Sequence, residues 1–165
     1  MIRTNNISFS YTEYGKDEDL APGDLELVLA AREIALNAYA PYSNFRVGAA
    51  IRLKSGIIIK GANVENAAFP SGICAERSAL SNSVSNHPDD IPVEIAVAAM
   101  TDEGITAGFV SPCGSCRQVI AEEETRIGKP IRILLSGRNN TIVLDSISSL
   151  LPLQFNKTHL KSNLP

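Results

Sequence analysis

The placement of the cysteines constrains this fold more than any other feature. The 165-residue chain has three, and all of them fall within two short motifs, Cys74-Ala75-Glu76 and Pro112-Cys113-Gly114-Ser115-Cys116. Cysteines used for packing would be scattered, and none here is left over for a disulfide or a core position. Cys113 and Cys116 are spaced so that, on the first turn of a helix, they share a face. Cys74 is expected at the start of the preceding helix. A fold that uses these residues together must aim two helix N-termini, far apart in sequence, at one point.

The rest of the pattern can deliver that. Ile7, Phe9 and Tyr11 alternate with Ser8, Ser10 and Thr12, the period of a strand with one buried face. Lys16-Asp17-Glu18-Asp19 reads as an exposed connector. Pro22-Gly23-Asp24 opens a helix with Asp24 as its N-cap. Its apolar stripe runs from Leu25 through Val28, Ala31 and Ala35 to Ala38, and Pro41 ends it. Residues 47–53 and 57–62 read as strands around a Lys54-Ser55-Gly56 turn, and 63–72 as loop. A helix is expected from about Cys74 to Ser85. Residues 93–100 are nearly all apolar, the signature of a central strand covered on both faces. A loop over 102–111, a helix from Cys113 to about Arg126, strands over 131–135 and 141–144, and a short helix capped by Asp145 or Ser146 complete the pass. Strands alternating with covering helices predict a layered α/β domain.

The length suits one domain with a sizeable core. That domain is placed at 23–156, with an N-terminal extension at 1–22 serving as an edge strand or an arm, and a polar tail at 157–165. The net charge of −3 argues against a nucleic-acid partner. No apolar run approaches the ~18 residues of a membrane span, and the first residues lack the apolar stretch of a signal peptide. Together with the odd number of thiols, this predicts a cytoplasmic protein without nucleic-acid or membrane partners.

The motifs read as a zinc site. Helix dipoles favour anionic sulfur, lower thiol pKa values and promote metal binding. Three thiolates fall one short of a closed structural tetrahedron, which leaves a position for water, as in catalytic zinc sites. Such a water has its pKa drawn toward ~7. Glu76, just past Cys74, reaches the open side without ligating, and a carboxylate there moves protons for a gain of roughly 10²–10⁴-fold. Zn²⁺ with three thiolates is net negative. Arg77 and Arg117 each directly follow a motif, and at least one is expected to donate hydrogen bonds to the ligand sulfurs. Taken singly, these residues have blander readings: a redox motif or half a structural zinc site, a solvated glutamate, two surface arginines. The combination, with every cysteine consumed, is the zinc-deaminase signature with cysteine at the first ligand position.

From residue 24 to 155 the chain resembles the small, homotetrameric, zinc-dependent cytidine deaminases of the cytidine/deoxycytidylate deaminase superfamily. The resemblance is carried by Ala40-Pro41-Tyr42-Ser43-Asn44-Phe45-Arg46-Val47-Gly48-Ala49-Ala50, Asn63-Val64-Glu65-Asn66-Ala67, Gly72-Ile73-Cys74-Ala75-Glu76-Arg77, Ser111-Pro112-Cys113-Gly114-Ser115-Cys116-Arg117-Gln118 and Leu150-Leu151-Pro152. It implies a three-layer α/β/α cytidine-deaminase-like domain around a mixed sheet of about five strands. It also implies one Zn²⁺ per subunit and a homotetramer with active sites shared between subunits. The reaction implied is hydrolytic deamination of cytidine and deoxycytidine to uridine and deoxyuridine with release of ammonia, in pyrimidine salvage. Residue by residue, Cys74, Cys113 and Cys116 match the metal ligands and Glu76 the catalytic acid–base. Asn63 and Glu65 match the pair that hydrogen-bonds the ribose hydroxyls, and Phe45 an aromatic packed on the pyrimidine. The Ala75 backbone matches the carbonyl that recognises the 4-amino group. Phe155 matches a C-terminal aromatic that reaches a neighbouring subunit's site.

The chain departs from that pattern in two places. Phe69 stands where the family usually has a tyrosine contributed across a subunit boundary, so a hydroxyl is missing. The segment before residue 23 is longer than usual. Two rival readings are a deaminase of another aminopyrimidine or aminopurine, such as a nucleoside antibiotic, and a non-catalytic protein stapled by zinc. Asn63-Val64-Glu65 speaks against the first, and Glu76 with the missing fourth ligand against the second.

Overall fold

The computed structural model describes residues 1–161. Its centre is a mixed seven-stranded sheet in the order β1 (Thr12–Tyr14), β7 (Thr141–Leu144), β6 (Arg132–Ser136), β4 (Pro92–Thr101), β2 (Arg46–Leu53), β3 (Ile58–Ala62), with β5 (Gly104–Ile105) paired to β4. Among the described residues β4 and β6 are the parallel pair, and the other pairings are antiparallel. Helix α1 (Pro22–Ala35) covers one face; α2 (Ala75–Asn86) and α3 (Gly114–Ile127) cover the other. Among the described residues, no helix is long and apolar enough to cross a membrane.

Strand alternation sorts the core into two faces. Ile95 and Val97 of β4, Ile133 and Leu135 of β6, and Ile51 of β2 point toward α2 and α3. Ala96, Ala98, Leu134 and Ala50 point toward α1. The alanines let α1 lie close, and Gly48 makes the closest approach. A Cβ there would stand 2.0 Å from the Ala31 carbonyl oxygen. On the opposite face Gly61 lets α2 settle onto β3, where a Cβ would stand 2.4 Å from the Ala79 nitrogen. That contact fixes where α2 begins, and the functional site depends on it.

Several expectations are corrected. The sheet has seven strands rather than about five, because β1 and β5 are too short to show a period. The alternation at 7–12 does not produce a strand there: residues 1–11 are irregular and exposed, and pairing with β7 begins at Thr12. The reason is register: Thr12 pairs with Val143, and β7 ends one residue further on at Leu144, so it offers no partner to the residues before. The connector at 16–19 is largely exposed, as expected, and Asp17–Asp19 within it forms a 3-10 turn. Asp24 is not the N-cap of α1. Ala21 holds that position, Pro22 takes the first turn, and buried Asp24 pairs with Arg132 at 2.5 and 2.6 Å. The helix ends at Ala35, and residues 36–38 tighten into i→i−3 bonds before Pro41. Ser146 does cap the 3-10 turn Ile147–Ser149, accepting from the Ser148 N–H. Lys157–Lys161 is a short helix; the remainder of the expected tail, 162–165, lies outside the described residues.

Candidate metal centre and substrate pocket

Helices α2 and α3, which share one face of the sheet, both start beside a cysteine. Cys74 is the N-cap of α2 and Cys113 the N-cap of α3, each in extended backbone one residue before the helix proper. Cys116 lies in the first turn of α3 and is fully buried. The three sulfurs all lie within 4.8 Å of one another, with Cys113 and Cys116 Sγ 3.6 Å apart. Among the described residues this is the one such cluster of metal-binding side chains. Three thiols converging between two helix N-termini are a donor set that suits zinc.

The expectation that the helix starts lower every thiol pKa holds at one position. At Cys113 burial opposes ionisation, but the Cys116 and Ser115 N–H groups and the neighbouring thiols outweigh it, and the pKa falls. At Cys116 burial, with the charges of Glu76 and Cys74 adding to it, pushes the thiol far up. Burial also raises Cys74, partly offset by the Cys116 thiol. Depth beats the dipole at these two sulfurs. A bound cation would supply the charge compensation that burial removes.

Glu76, on the first turn of α2, is 5% exposed. Burial raises its carboxyl pKa, against hydrogen bonds from its own N–H and the Cys116 thiol. A carboxyl pushed toward neutrality is suited to taking up and giving back a proton. A cavity of about 610 Å³ opens over Cys74, Glu76 and Cys113, within the size range of small-molecule sites. Its buried lining includes Ala75 and Val97, its half-buried lining Phe45, Asn63 and Glu65, and its exposed mouth Tyr42 and Phe69.

Asn63 and Glu65 do face this cavity, and both already have partners. Asn63 Oδ1 accepts from the Val47 N–H at 2.7 Å, and its Nδ2 donates to the Phe45 carbonyl at 3.1 Å. It therefore also sets the start of β2. Glu65 accepts from the Tyr42 N–H at 2.9 Å, from the Ser43 N–H at 3.3 Å, and from the Ser43 hydroxyl. The hydroxyl first, then the Tyr42 N–H, hold its pKa down. Val64 is bridged to Tyr39 on one side and Ile73 on the other, which seats this loop against α2's entry.

Tyr42 and Ser43 were not singled out as site residues by sequence reasoning. Their signal is the turn itself: Asn44 takes φ 55°, a left-handed value that asparagine tolerates. Phe69 is 75% exposed and sits edge-on to Tyr42, centroids 5.9 Å apart. Phe155 does not line this cavity. It is 57% exposed, its ring stacks on His159, and its carbonyl accepts from Gln118 Nε2 at 2.8 Å.

Neither arginine donates to a sulfur. Arg117 sits one residue past Cys116, about 100° around the helix from it. Its Nε donates to the Pro112 carbonyl and its Nη1 to the Leu150 carbonyl, both at 2.8 Å. Arg77 is half-buried, and its guanidinium has no hydrogen-bond partner among the described residues.

Two helix starts present sulfur with a buried carboxyl beside it in an α/β/α layering, and over this region the chain is similar to proteins of one class. Residues 23–129 match the cytidine and deoxycytidylate deaminase zinc-binding region. A cytidine deaminase of Halalkalibacterium halodurans is 39% identical over 126 residues, covering 76% of this chain and 89% of that one. A blasticidin-S deaminase of Bacillus cereus is 32% identical over 144 residues, covering 86% and 99%. The crystal structure of a cytidine deaminase from Burkholderia pseudomallei matches at TM-score 0.68 and 36% identity, covering 79% and 97%. The chain belongs to the cytidine and deoxycytidylate deaminase family. It is an enzyme, a hydrolytic deaminase.

Proposed function

We propose that this enzyme uses zinc to deaminate cytidine and deoxycytidine, consuming water and releasing uridine or deoxyuridine and ammonia. The observation that carries the reading is the cluster of three thiols within 4.8 Å, with the buried Glu76 carboxyl at the same cavity. Cys74, Cys113 and Cys116 would hold one Zn²⁺ per subunit. Zinc, when bound, supplies the Lewis acidity that makes a water nucleophilic near neutral pH.

Glu76 takes the proton of the attacking water and passes it to ring N3 as the C4–O bond forms. It then carries the proton of the new C4 hydroxyl to the 4-amino group, which leaves as ammonia as the C4–N bond breaks and the C4 carbonyl forms. Its raised pKa suits both directions of transfer. The Ala75 carbonyl accepts from the 4-amino group, and Phe45 packs on the ring. Glu65 and the spare N–H of Asn63 take the ribose hydroxyls. Arg77 is the arginine we assign to offset the thiolate charge, because Arg117 is committed to two carbonyls.

The catalytic unit is taken as 23–156. Exposed Tyr39, Tyr42, Val64, Phe69 and Phe155 support a homotetramer in which neighbours close one another's pockets. The ligand thiols favour a reducing cytoplasm, with a place in pyrimidine salvage. A second reading, another aminopyrimidine or aminopurine such as a nucleoside antibiotic as substrate, is favoured by the similarity to the blasticidin-S deaminase. Ammonia release from cytidine, deoxycytidine, free cytosine and blasticidin S, with and without chelator, tests both. Turnover of the two nucleosides that chelator abolishes is the expected result. Blasticidin S alone as substrate supports the second reading, and no turnover of any overturns both. Light scattering checks the tetramer.

A further inference from the structure

Arg32, in the last turn of α1, does not reach for solvent; its side chain is 12% exposed. Its guanidinium forks onto Asp17, Nη1 to Oδ2 at 2.5 Å and Nη2 to Oδ1 at 2.9 Å. It also donates to Ser136 Oγ at 3.0 and 2.8 Å and to the Gly137 carbonyl at 3.0 Å. A planar five-donor group can serve all three partners at once, which an ammonium cannot. Ser136 and Gly137 open the β6–β7 turn, and that turn grips the segment after β5. The Arg138 N–H donates to the Thr106 carbonyl at 2.8 Å and the Asn139 N–H to the Ala107 carbonyl at 2.9 Å. Gly137 lies so close that a Cβ there would stand 2.4 Å from the Gly108 carbonyl carbon and 2.6 Å from the Phe109 nitrogen. The same segment continues into Val110, Ser111 and Cys113 at the cavity. Its far end is tied by Arg117 to the Pro112 carbonyl.

We propose that the Asp17–Arg32 pair is a positioning device for the metal loop: it fixes the Gly137 turn, the turn fixes residues 106–109, and these set where Ser111 and Cys113 stand. Both are positioning residues, since neither touches the cavity. Asp17 precedes the region 23–129 that matches the family. The N-terminal extension thereby supports the site from a distance. This inference rests on reading the thiol cluster as the zinc site.

The test uses the full chain and the variants Asp17→Asn, Arg32→Gln and Arg32→Lys. The control is Arg132→Gln, which breaks a comparable fork onto Asp24 and Glu94 at the other end of β6. Zinc affinity is read by competition with a chromophoric chelator. The thermal midpoint is measured, as are kcat and KM well below it. Arg32→Gln is expected to hold zinc roughly 10–100-fold more weakly, the scale of lost support around metal ligands. Asp17→Asn should show a smaller loss in the same direction, and kcat should fall with KM little changed. Arg32→Lys should recover part of the loss. Arg132→Gln should lower the midpoint and leave zinc affinity alone. Zinc affinity equal to wild type in Asp17→Asn and Arg32→Gln overturns the proposal, as does an equal zinc loss in Arg132→Gln. Should Arg32→Gln fail to fold, Asp17→Asn decides, since its side chain is 39% exposed. A wild-type protein that takes up no zinc overturns the site reading itself. Zinc uptake with unaffected variants overturns the clamp alone.

Discussion

Two carboxylates face one cavity under opposite conditions. Glu76, at the deep end, is 5% exposed, and burial raises its pKa. Glu65, near the mouth, accepts from the Ser43 hydroxyl and two backbone N–H groups, and these lower it. The deep end is built from helix starts pressed on the sheet, and burial there opposes ionisation of the Glu76 carboxyl and of the Cys74 and Cys116 thiols. The mouth is built from loops whose polar groups satisfy one another. Burying a charge is costly unless a counter-charge engages it, which suits the deep end to the metal and the proton transfer proposed for it. A satisfied, half-buried group such as Glu65 would be a grip that ligand must share or displace.

The largest effect that could break this contrast is loss of a sulfur. Cys116→Ala should abolish both zinc binding and turnover, because the remaining thiols leave the ion two protein ligands. Metal content by elemental analysis and ammonia release check it. A metallated, active variant removes Cys116 from the centre. Next comes Glu76→Gln, expected to keep zinc and lose roughly 10²–10⁴-fold in kcat. Near-normal kcat would mean that depth alone does not make Glu76 the proton carrier.

The deep end was legible in the sequence, and the mouth only in part. Cys74, Glu76, Cys113 and Cys116 are placed by helix starts, which are local features. Only their caps differ, Cys74 and Cys113 standing one residue outside α2 and α3. The partners of Glu65 and Asn63 come from residues 16 to 23 positions away, and no local pattern announces them. The same holds for Asp17, which reads as part of an exposed connector, and for Arg32, whose partners Ser136 and Gly137 lie more than a hundred positions away and are brought beneath it by the sheet. Alternation at Ile7, Phe9 and Tyr11 misled for a related reason. It reports a preference for extended backbone, while a strand also needs a neighbour to pair with.

At the mouth, Glu65→Gln should lower kcat/KM by roughly 10–100-fold, mainly through KM, as lost charge-assisted bonds do. The pH dependence sharpens the point. Because the folded pKa of Glu65 lies below its ordinary value of 4.5, its hold on the Tyr42–Ser43 turn is complete above that value. The hold is lost only as pH falls through the lower folded one. KM should therefore be flat through the neutral range down to the ordinary carboxylate value. An acid limb in KM nearer neutrality, absent in Glu65→Gln, would show that Glu65 is not held ionised as the structure has it.

The smallest expected effect belongs to Arg77, between the two regions. A half-buried guanidinium with no partner among the described residues costs less to remove than a buried ligand, so Arg77→Gln should keep the fold. It should slow turnover by about tenfold, the lower end of what support around a metal costs. The informative comparison is Arg117→Gln. Arg117 ties α3 to the Pro112 and Leu150 carbonyls, so its loss should appear as a lower thermal midpoint more than as altered chemistry. If Arg77→Gln shifts the midpoint and leaves kcat alone, while Arg117→Gln does the reverse, the two arginines have been assigned to the wrong tasks. The thiolate charge would then be met from the α3 side.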